Sequence, residues 1–547
     1  MSAAQGKEGA IPTPLLHELL ASAVARFASI PALDFLGKRT SYAELGQLVE
    51  RAAAGFQRLG VVKGTRVALC LPNTPYYVIC YYAILRAGGV VVNLSPLYVE
   101  RELRHFLQDS GARIAVTLDV GELYGKFAPI AADGALDHLI IGSMLEILDP
   151  LKRVGFWLTR RKSLAKIPAD SRHVPFRALV APGAPPRPVP CDAVKDLAVL
   201  QYTGGTTGIP KAAMLSHANL SANCAQLARR LPEIAPGRGM LTLVPLFHVF
   251  AMTVAMNLSV MLGLEMILLP RYDKELLRKT IKRTRPIFFP GVPTIYANIN
   301  EAAAREKWEL SSIRFCVSGA APLPAEIRTR FEQLSGCRLV EGYGLSETSP
   351  VVAANLFGAV RDGSVGLPVD GTVVELRSMD DPSRIVAQGE LGEVCVRGPQ
   401  VMMGYWNRPD ETAKVFIDGA LRTGDVGYQD KDGYIFLVDR IKDLIISGGY
   451  NVYPRVVEEA LYKHPAVLEA VVIGIPDARR GQVPKAYVKL QEGVQVTEEE
   501  LQTFLAEHLS PVERPKKIEF RDTLPKTVVG KLSRKELVAE EKARQGA

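Results

Sequence analysis

Between residues 40 and 140, helix-patterned stretches such as YAELGQLVERAAAGFQRLG alternate with short apolar runs bounded by turn residues: RVALCLPN, GVVVNLSP and ARIAVTLD. Regular helix–strand alternation of this kind predicts βαβ units around a mainly parallel sheet. The alternation returns from 239 to 340, where GMLTLVPLF, LEMILLP, PIFFPGVP and IRFCVSG read as strands and KELLRKTIKRTR and PAEIRTRFEQL as helices. The expected fold class is α/β, with a large doubly wound N-terminal body.

From 363 to 440 the pattern changes to short strands separated by Gly and Asp turns, as in GTVVELRS, GELGEVCVRG and DKDGYIFLVDR. That texture predicts an antiparallel, β-barrel-like subdomain closing the body. After Asp439 the chain reads as a hairpin (DLIISGGYNVYP), a helix (RVVEEALYKH), two strands (AVLEAVVIGIPD and KAYVKL), a helix (TEEELQTFLAEHL) and a Lys-rich end. Two domains are expected, 1–440 and a small α+β domain over 441–547.

The length of 547 residues agrees with this division, since single cores stop growing at about 250 to 300 residues. A hydrophobic share of 48% against 23% charged residues is that of a globular protein. The net charge of +8 suits an anionic ligand or surface, yet no zinc-finger, basic-zipper or aromatic RNA-binding signature accompanies it, so no nucleic-acid partner is expected. Seven scattered cysteines form no CxxC pair or zinc-spaced cluster and read as reduced, buried thiols. The N-terminus lacks a basic region followed by an apolar stretch, so export is not expected. The most apolar segment, Val244 to Pro270, is interrupted by His248, Asn257 and Glu265 and suits a buried element better than a membrane span.

Chemistry concentrates in a few loops. YTGGTTGIPKAAMLSH, 202–217, follows the apolar run DLAVLQ and places three glycines, three threonines and a lysine within ten residues, a loop able to wrap a polyphosphate with amides and hydroxyls. It is not a Walker A loop, because Pro210 precedes Lys211 and Ala212 follows it. In EGYGLSETSP, 341–350, Tyr343 offers a face for a purine and Glu347 a hard oxygen ligand for magnesium. RTGDVG sets Asp425 at a turn where its carboxylate can accept both hydroxyls of a ribose.

Taken in order, the Thr/Gly/Lys loop, VSGAAPL at 317–323, EGYGLSETSP, RTGDVG, DRIKDLIISGGYNVYP at 439–454 and PKTVVGKLSR at 525–534 resemble the core motifs of the adenylate-forming superfamily, and within it the bacterial medium- and long-chain fatty acid CoA ligases. The resemblance implies ATP, Mg²⁺ and coenzyme A as reaction partners of a small carboxylic acid. Thr203, Gly204, Gly205, Thr206, Thr207 and Lys211 would hold the β- and γ-phosphates, and Ser346 the α-phosphate. Glu347 would bind Mg²⁺. Tyr343 and the backbone of Gly319, Ala320 and Ala321 would enclose the adenine, joined by Glu341, Gly342 and Gly344 of the same motif, while Asp425 and Arg440 would fix the ribose. Lys531 would bridge the acid's carboxylate and the α-phosphate. Lys442 occupies the hinge about which the C-terminal domain turns between half-reactions, Ser447, Gly448 and Gly449 would line the pantetheine path, and His248 would lie near the carboxylate or the thiol.

PLFHVFAMTVAMNLSVMLGLEMILLP, 245–270, matches the part of that family lining the acid pocket, and its few charges favour an alkyl chain. Two positions depart from the pattern: Ala212 stands where relatives usually carry Gly, and Met252 where some long-chain members carry an aromatic gate. A dicarboxylate or aromatic acid ligase, or an acyl-AMP ligase with another acceptor, are the alternatives. Finally, 151–169 holds six basic residues and no acid around Phe156, Trp157 and Leu158, which suits an anionic lipid surface or a solvated insertion. The expectation is a cytoplasmic monomer or homodimer, peripheral to the inner face of the membrane.

Overall fold

The computed structural model describes residues 10–203, 210–527 and 530–545. The two alternating runs of the N-terminal body build separate sheets. The first is seven-stranded and runs, edge to edge, His173–Pro175, His138–Gly142, Ile114–Leu118, Arg66–Leu69, Val90–Asn93, Leu197–Thr203 and Lys211–Ser216, parallel except for its last hairpin. The second is nine-stranded, parallel through the middle strands Arg338–Gly344, Phe315–Ser318, Phe288–Gly291, Gly239–Thr242, Glu265–Leu268 and Pro31–Phe35, with antiparallel strands at both edges.

Between them lies the helix Pro75–Arg86, PYYVICYYAILR, buried at every position except Arg86. A helix apolar all round can be satisfied only by covering on all sides, and this one belongs to the largest core cluster, with side chains from both sheets. Its neighbour Tyr42–Arg58 has a polar outer face and starts at a capping box: Glu44 N donates to Ser41 Oγ at 3.2 Å and Ser41 N to Glu44 Oε2 at 2.7 Å.

Buried polar side chains lock the sheets to one another. Asn73, just past the carboxyl end of Arg66–Leu69, donates to the carbonyls of Thr242 and Val244, both at 3.1 Å, and accepts from Leu246 N at 2.7 Å. This holds the carboxyl ends of the two sheets against each other, where crevices of parallel sheets bind ligands. On the helix His217–Arg230, Asn223 pairs with both backbone groups of Val351 at 2.8 and 2.9 Å, and Asn219 donates to the carbonyls of Pro399 and Val401 at 2.8 and 2.9 Å.

Val373–Arg377, Gly392–Arg397, Phe416–Ile417, Ala420–Gln429 and Ile435–Arg440 form a five-stranded antiparallel sheet, the expected barrel-like subdomain. The smaller C-terminal domain is built on the long hairpin Val467–Asp477/Gly481–Leu490. The Lys-rich end, unassigned from sequence, folds as a strand, Lys517–Phe520, parallel to Gly481–Leu490, and a helix, Arg534–Gln545. The basic segment near 151 is helical over Pro150–Arg160. The apolar stretch after Pro245 is broken into the turn Val249–Ala251, a π-helix Met252–Asn257 and the helix Leu258–Leu262. All seven cysteines are free, and no described helix is long and apolar enough to cross a membrane.

Gly366 joins the nine-stranded sheet to the barrel sheet: Ile435 N donates to its carbonyl at 2.9 Å. Its φ is +96°, and a Cβ there would sit 2.0 Å from the carbonyl carbon of Ala354. Gly366→Ala is expected to destabilise the protein by about 2 kcal/mol or more through left-handed strain and a backbone clash, read as a lower midpoint in urea unfolding.

Candidate active site

The strand Arg338–Gly344 carries Glu341, Gly342, Tyr343 and Gly344 to the carboxyl end of the nine-stranded sheet, and a 3₁₀ turn, Ser346–Thr348, follows. A Cβ on Gly344 would lie 1.8 Å from the Pro350 carbonyl, so only glycine lets the loop fold back on itself here. The neighbouring strand Phe315–Ser318 delivers Gly319, Ala320 and Ala321; Gly319 N donates to the Gly291 carbonyl at 3.2 Å, and Ala320 takes a left-handed φ of +66°.

Tyr343 and Asp425 meet across two sheets. The buried Tyr343 hydroxyl donates to Asp425 Oδ2 at 2.6 Å, and burial together with that carboxylate holds the phenol far above its ordinary range. Asp425 also pairs with Arg440 Nε at 3.0 Å, its register partner on the adjacent strand. Glu341, behind this cluster, has its carboxyl pushed up to about 7 by burial, against the opposing pull of Arg455.

Glu347 accepts the Tyr405 hydroxyl on Oε1 at 2.8 Å, and the Lys211 ammonium lies 5.2 Å from the Tyr405 ring centroid while pairing with Glu411. Thr203 and Lys211 face each other as the last and first residues of an antiparallel hairpin. Gly204, Gly205, Thr206 and Thr207 lie outside the described residues. Tyr405 and Glu411 escaped the sequence reading because nothing in GYWNRPDET marks an aromatic or acid whose partners are over 50 residues away.

Lys531 arrives from the C-terminal domain. Thr294 Oγ1 of the large body donates to the Gly530 carbonyl at 3.0 Å, seating the loop that carries it. Burial, with Arg440, Arg534 and Lys442 adding repulsion and Asp425 opposing it, draws the Lys531 amine down to about 8. His248, whose Nδ1 accepts from Phe250 N at 3.3 Å, heads the apolar segment 249–262; burial and then the Lys531 charge lower its imidazole to about 4, so it is neutral at physiological pH. Lys442, in the 3₁₀ turn Ile441–Asp443 between the domains, is lowered by burial and by Arg440 and Arg534, against Asp443. Arg534, also missed from sequence, pairs with Glu458 at 2.7 Å and Asp443 at 3.2 Å. Ser447, Gly448 and Gly449 stand apart: they form the turn of the hairpin Ile445–Ser447/Tyr450–Val452, and Gly448 N donates to the Arg480 carbonyl of its own domain at 2.8 Å.

Motif-bearing loops at the carboxyl ends of α/β strands, with a lysine brought beside them by a small second domain, are the arrangement of a class: the two-domain adenylate-forming enzymes. The chain matches the AMP-binding enzyme family over residues 20–406 and the AMP-binding enzyme C-terminal domain over 456–531, and it belongs to that family. A long-chain-fatty-acid–CoA ligase of Bacillus subtilis (strain 168) is 43% identical over 537 residues, covering 97% of this chain and 95% of the relative. Among solved structures, the benzoate CoA ligase of Burkholderia xenovorans LB400 superposes with a TM-score of 0.83 at 26% identity, over 96% of this chain and 99% of that one. The anthranilate CoA ligase AuaEII in complex with anthranoyl-AMP shares the fold with a TM-score of 0.86 at 24% identity, over 98% and 99% of the two chains.

Titration of isotopically dimethylated lysines by NMR is expected to find one amine near pH 8. Since the Asp425 carboxylate raises that value, Asp425→Asn is expected to lower it further. A Lys531 resonance in the ordinary lysine range would place the amine outside this cluster.

Proposed function

We propose that the protein activates a medium- or long-chain fatty acid with ATP to acyl-AMP and passes the acyl group to coenzyme A, releasing AMP and pyrophosphate. The observation that carries the reading is the position of Lys531, between the Asp425–Arg440–Tyr343 cluster on one side and His248, at the head of a largely buried apolar segment, on the other. The name of the Bacillus subtilis relative supports the fatty acid over an aromatic one, since the aromatic acid ligases share the fold at lower identity.

In this reading the nucleotide lies across the carboxyl ends of the strands. Tyr343 and the backbone of 319–321 flank the adenine, with Glu341, Gly342 and Gly344 shaping the loop. Asp425 accepts from the ribose hydroxyls while Arg440, paired with it, holds the carboxylate in place. Thr203, Lys211 and the loop 204–207 take the β- and γ-phosphates, phosphate oxygens replacing Glu411 as the partner of Lys211, and Ser346 donates to the α-phosphate. Glu347 suits Mg²⁺: one of its oxygens is held by Tyr405, leaving the other for the ion, and a single carboxylate plus phosphates is the usual magnesium arrangement. Bound there, the ion would neutralise charge on the departing pyrophosphate.

The acid's carboxylate attacks the α-phosphorus in line with the leaving pyrophosphate, and the Lys531 ammonium neutralises charge on both reacting groups. In the second step the CoA thiolate attacks the acyl carbon and AMP leaves, so no covalent enzyme intermediate forms. We divide the chain at 440/441 and place the hinge at Lys442, where the strand Ile435–Arg440 gives way to a single 3₁₀ turn. Rotation there would withdraw Lys531 and turn Ser447–Gly449 toward the pantetheine. The enzyme would work in the cytoplasm at the inner face of the membrane.

CoA-dependent AMP release should be fast with palmitate or octanoate and slow with pimelate or benzoate. Lys531→Ala should slow adenylation by about 10² or more, yet leave thioester formation from supplied acyl-AMP nearly unchanged. Adduct formation indifferent to CoA, or a preference for benzoate, would sink the reading.

The amine works as a cation, and its charge is present below its pKa. kcat/KM for adenylation should therefore fall as pH rises through about 8. Lys531→Arg, charged at all these pH values, should lack that alkaline limb even if its overall rate is low.

A further inference from the structure

The helix Pro150–Arg160 has no buried residue, although it is rich in apolar side chains. Leu151, Val154 and Leu158 are spaced three and four positions apart and so form one stripe, and their exposures are 86, 58 and 65%. Trp157, 47% exposed, borders it. Phe156, two positions from both Val154 and Leu158, points the other way and packs half-buried against the main core. The apolar ridge therefore faces directly away from the body of the protein.

The orientation is fixed by the helix's own contacts. Asp149 caps it by accepting from Lys152 N at 3.0 Å, and Lys152 Nζ donates to the Leu36 carbonyl of the body. Beyond it the chain returns to the first sheet, where Ala165 N donates to the Asp119 carbonyl at 2.7 Å. Arg153, Arg160, Arg161, Lys162 and Lys166 remain exposed around the ridge, Arg161 stacking over Trp157 at 5.1 Å, and no acid occurs between 150 and 169.

From this we infer that the helix Pro150–Arg160 is a membrane-docking element that lies in the plane of an anionic lipid surface, with Leu151, Val154, Trp157 and Leu158 in the headgroup–acyl boundary and the exposed arginines and lysines on the lipid phosphates. An outward apolar ridge rimmed by uncompensated positive charge fits this occupant, because apolar burial and attraction to anionic lipid add together. A protein groove would have to supply its own acids to match. The inference deepens the proposed location at the membrane and rests on that reading.

The full-length protein would be sedimented with vesicles of phosphatidylcholine alone and of phosphatidylcholine with about one-third phosphatidylglycerol. Binding is expected to the anionic vesicles, to weaken sharply in about 0.5 M NaCl, and to fall at least about tenfold in Leu151→Glu/Leu158→Glu, with octanoate turnover in solution unchanged. Should that variant fold poorly, Arg153→Gln/Arg160→Gln/Lys162→Gln is expected to lose the same binding. With Trp308→Phe and Trp406→Phe leaving Trp157 as the sole tryptophan, its emission should shift to the blue on anionic vesicles.

Equal binding to both vesicle types, or undiminished binding by both variants, would overturn the proposal. So would absence of vesicle binding with self-association that the variants abolish, which would make the ridge a contact between copies, or with neither, which would leave it to a protein partner. Vesicle binding in a protein that activates no fatty acid would instead overturn the ligase reading and leave the docking helix standing.

Discussion

A half-buried lysine among cations is the constraint on which the meeting of the two domains depends. Lys531, Arg440, Lys442 and Arg534 converge where the domains meet, and although Asp443 and Glu458 engage Arg534, only Asp425 pulls the Lys531 amine back toward its charged form. An ion taken out of water without full pairing costs several kcal/mol. The depressed pKa of the amine is that cost expressed as proton affinity. In the proposed reading a polyphosphate and a carboxylate would supply the missing negative charge, so the arrangement would be most favourable with both substrates between the domains. Charge would then make closure conditional on the ligands that need it.

The large body has to hold its loops still for this to work, and it does so with polar rather than apolar contacts. Asn73 reads the backbone beyond Gly239–Thr242, and Asn223 and Asn219 read Val351 and the segment 399–401. Apolar packing between two sheets tolerates sliding, whereas a buried amide left without its partners loses hydrogen bonds worth about 1–3 kcal/mol. Such side chains fix one register of sheet on sheet. The strand ends carrying Gly319, Tyr343 and Asp425 are thereby placed with respect to one another, and in the proposed reading orientation of the nucleotide would be the larger part of what these residues contribute.

The alternation of helix and strand, the antiparallel texture after 363 and the motif-bearing loops were legible in the sequence because each is written within a short window. What was not legible depends on contacts distant in the chain. The alternating runs carry no mark saying that they fill two sheets instead of one. The π-helix at Met252–Asn257 lies in a segment whose composition is that of any core helix, and all six of its residues are buried. The strand Lys517–Phe520 has one apolar neighbour pair in a basic stretch and exists because Gly481–Leu490 offers it an open edge. Around the candidate site, the sequence singled out the acids, aromatic ring and glycines of the loops but not the neighbours that contact them, Tyr405, Glu411, Thr294 and Arg534, since a lone hydroxyl or guanidinium has no signature until the fold supplies its neighbour.

The same few contacts explain why a closed state could be given up after one chemical step. The C-terminal domain has its own core, separate from that of the body. Its polar links to the body include Thr294 to Gly530, Arg305 to Glu492, Arg455 N to Asp439 at 2.7 Å, and Arg455 facing Glu341. Exposed ion pairs contribute about 1 kcal/mol or less each, and a neutral hydrogen bond about 1 kcal/mol. If Lys531 bridges the two reacting groups as proposed, most of the negative charge facing it would be gone once the acyl-adenylate has formed and pyrophosphate has departed, while its repulsion with Arg440, Lys442 and Arg534 would remain. In the proposed reading, departure of pyrophosphate would therefore weaken what draws Lys531 to the body and favour release of the domain for the second step.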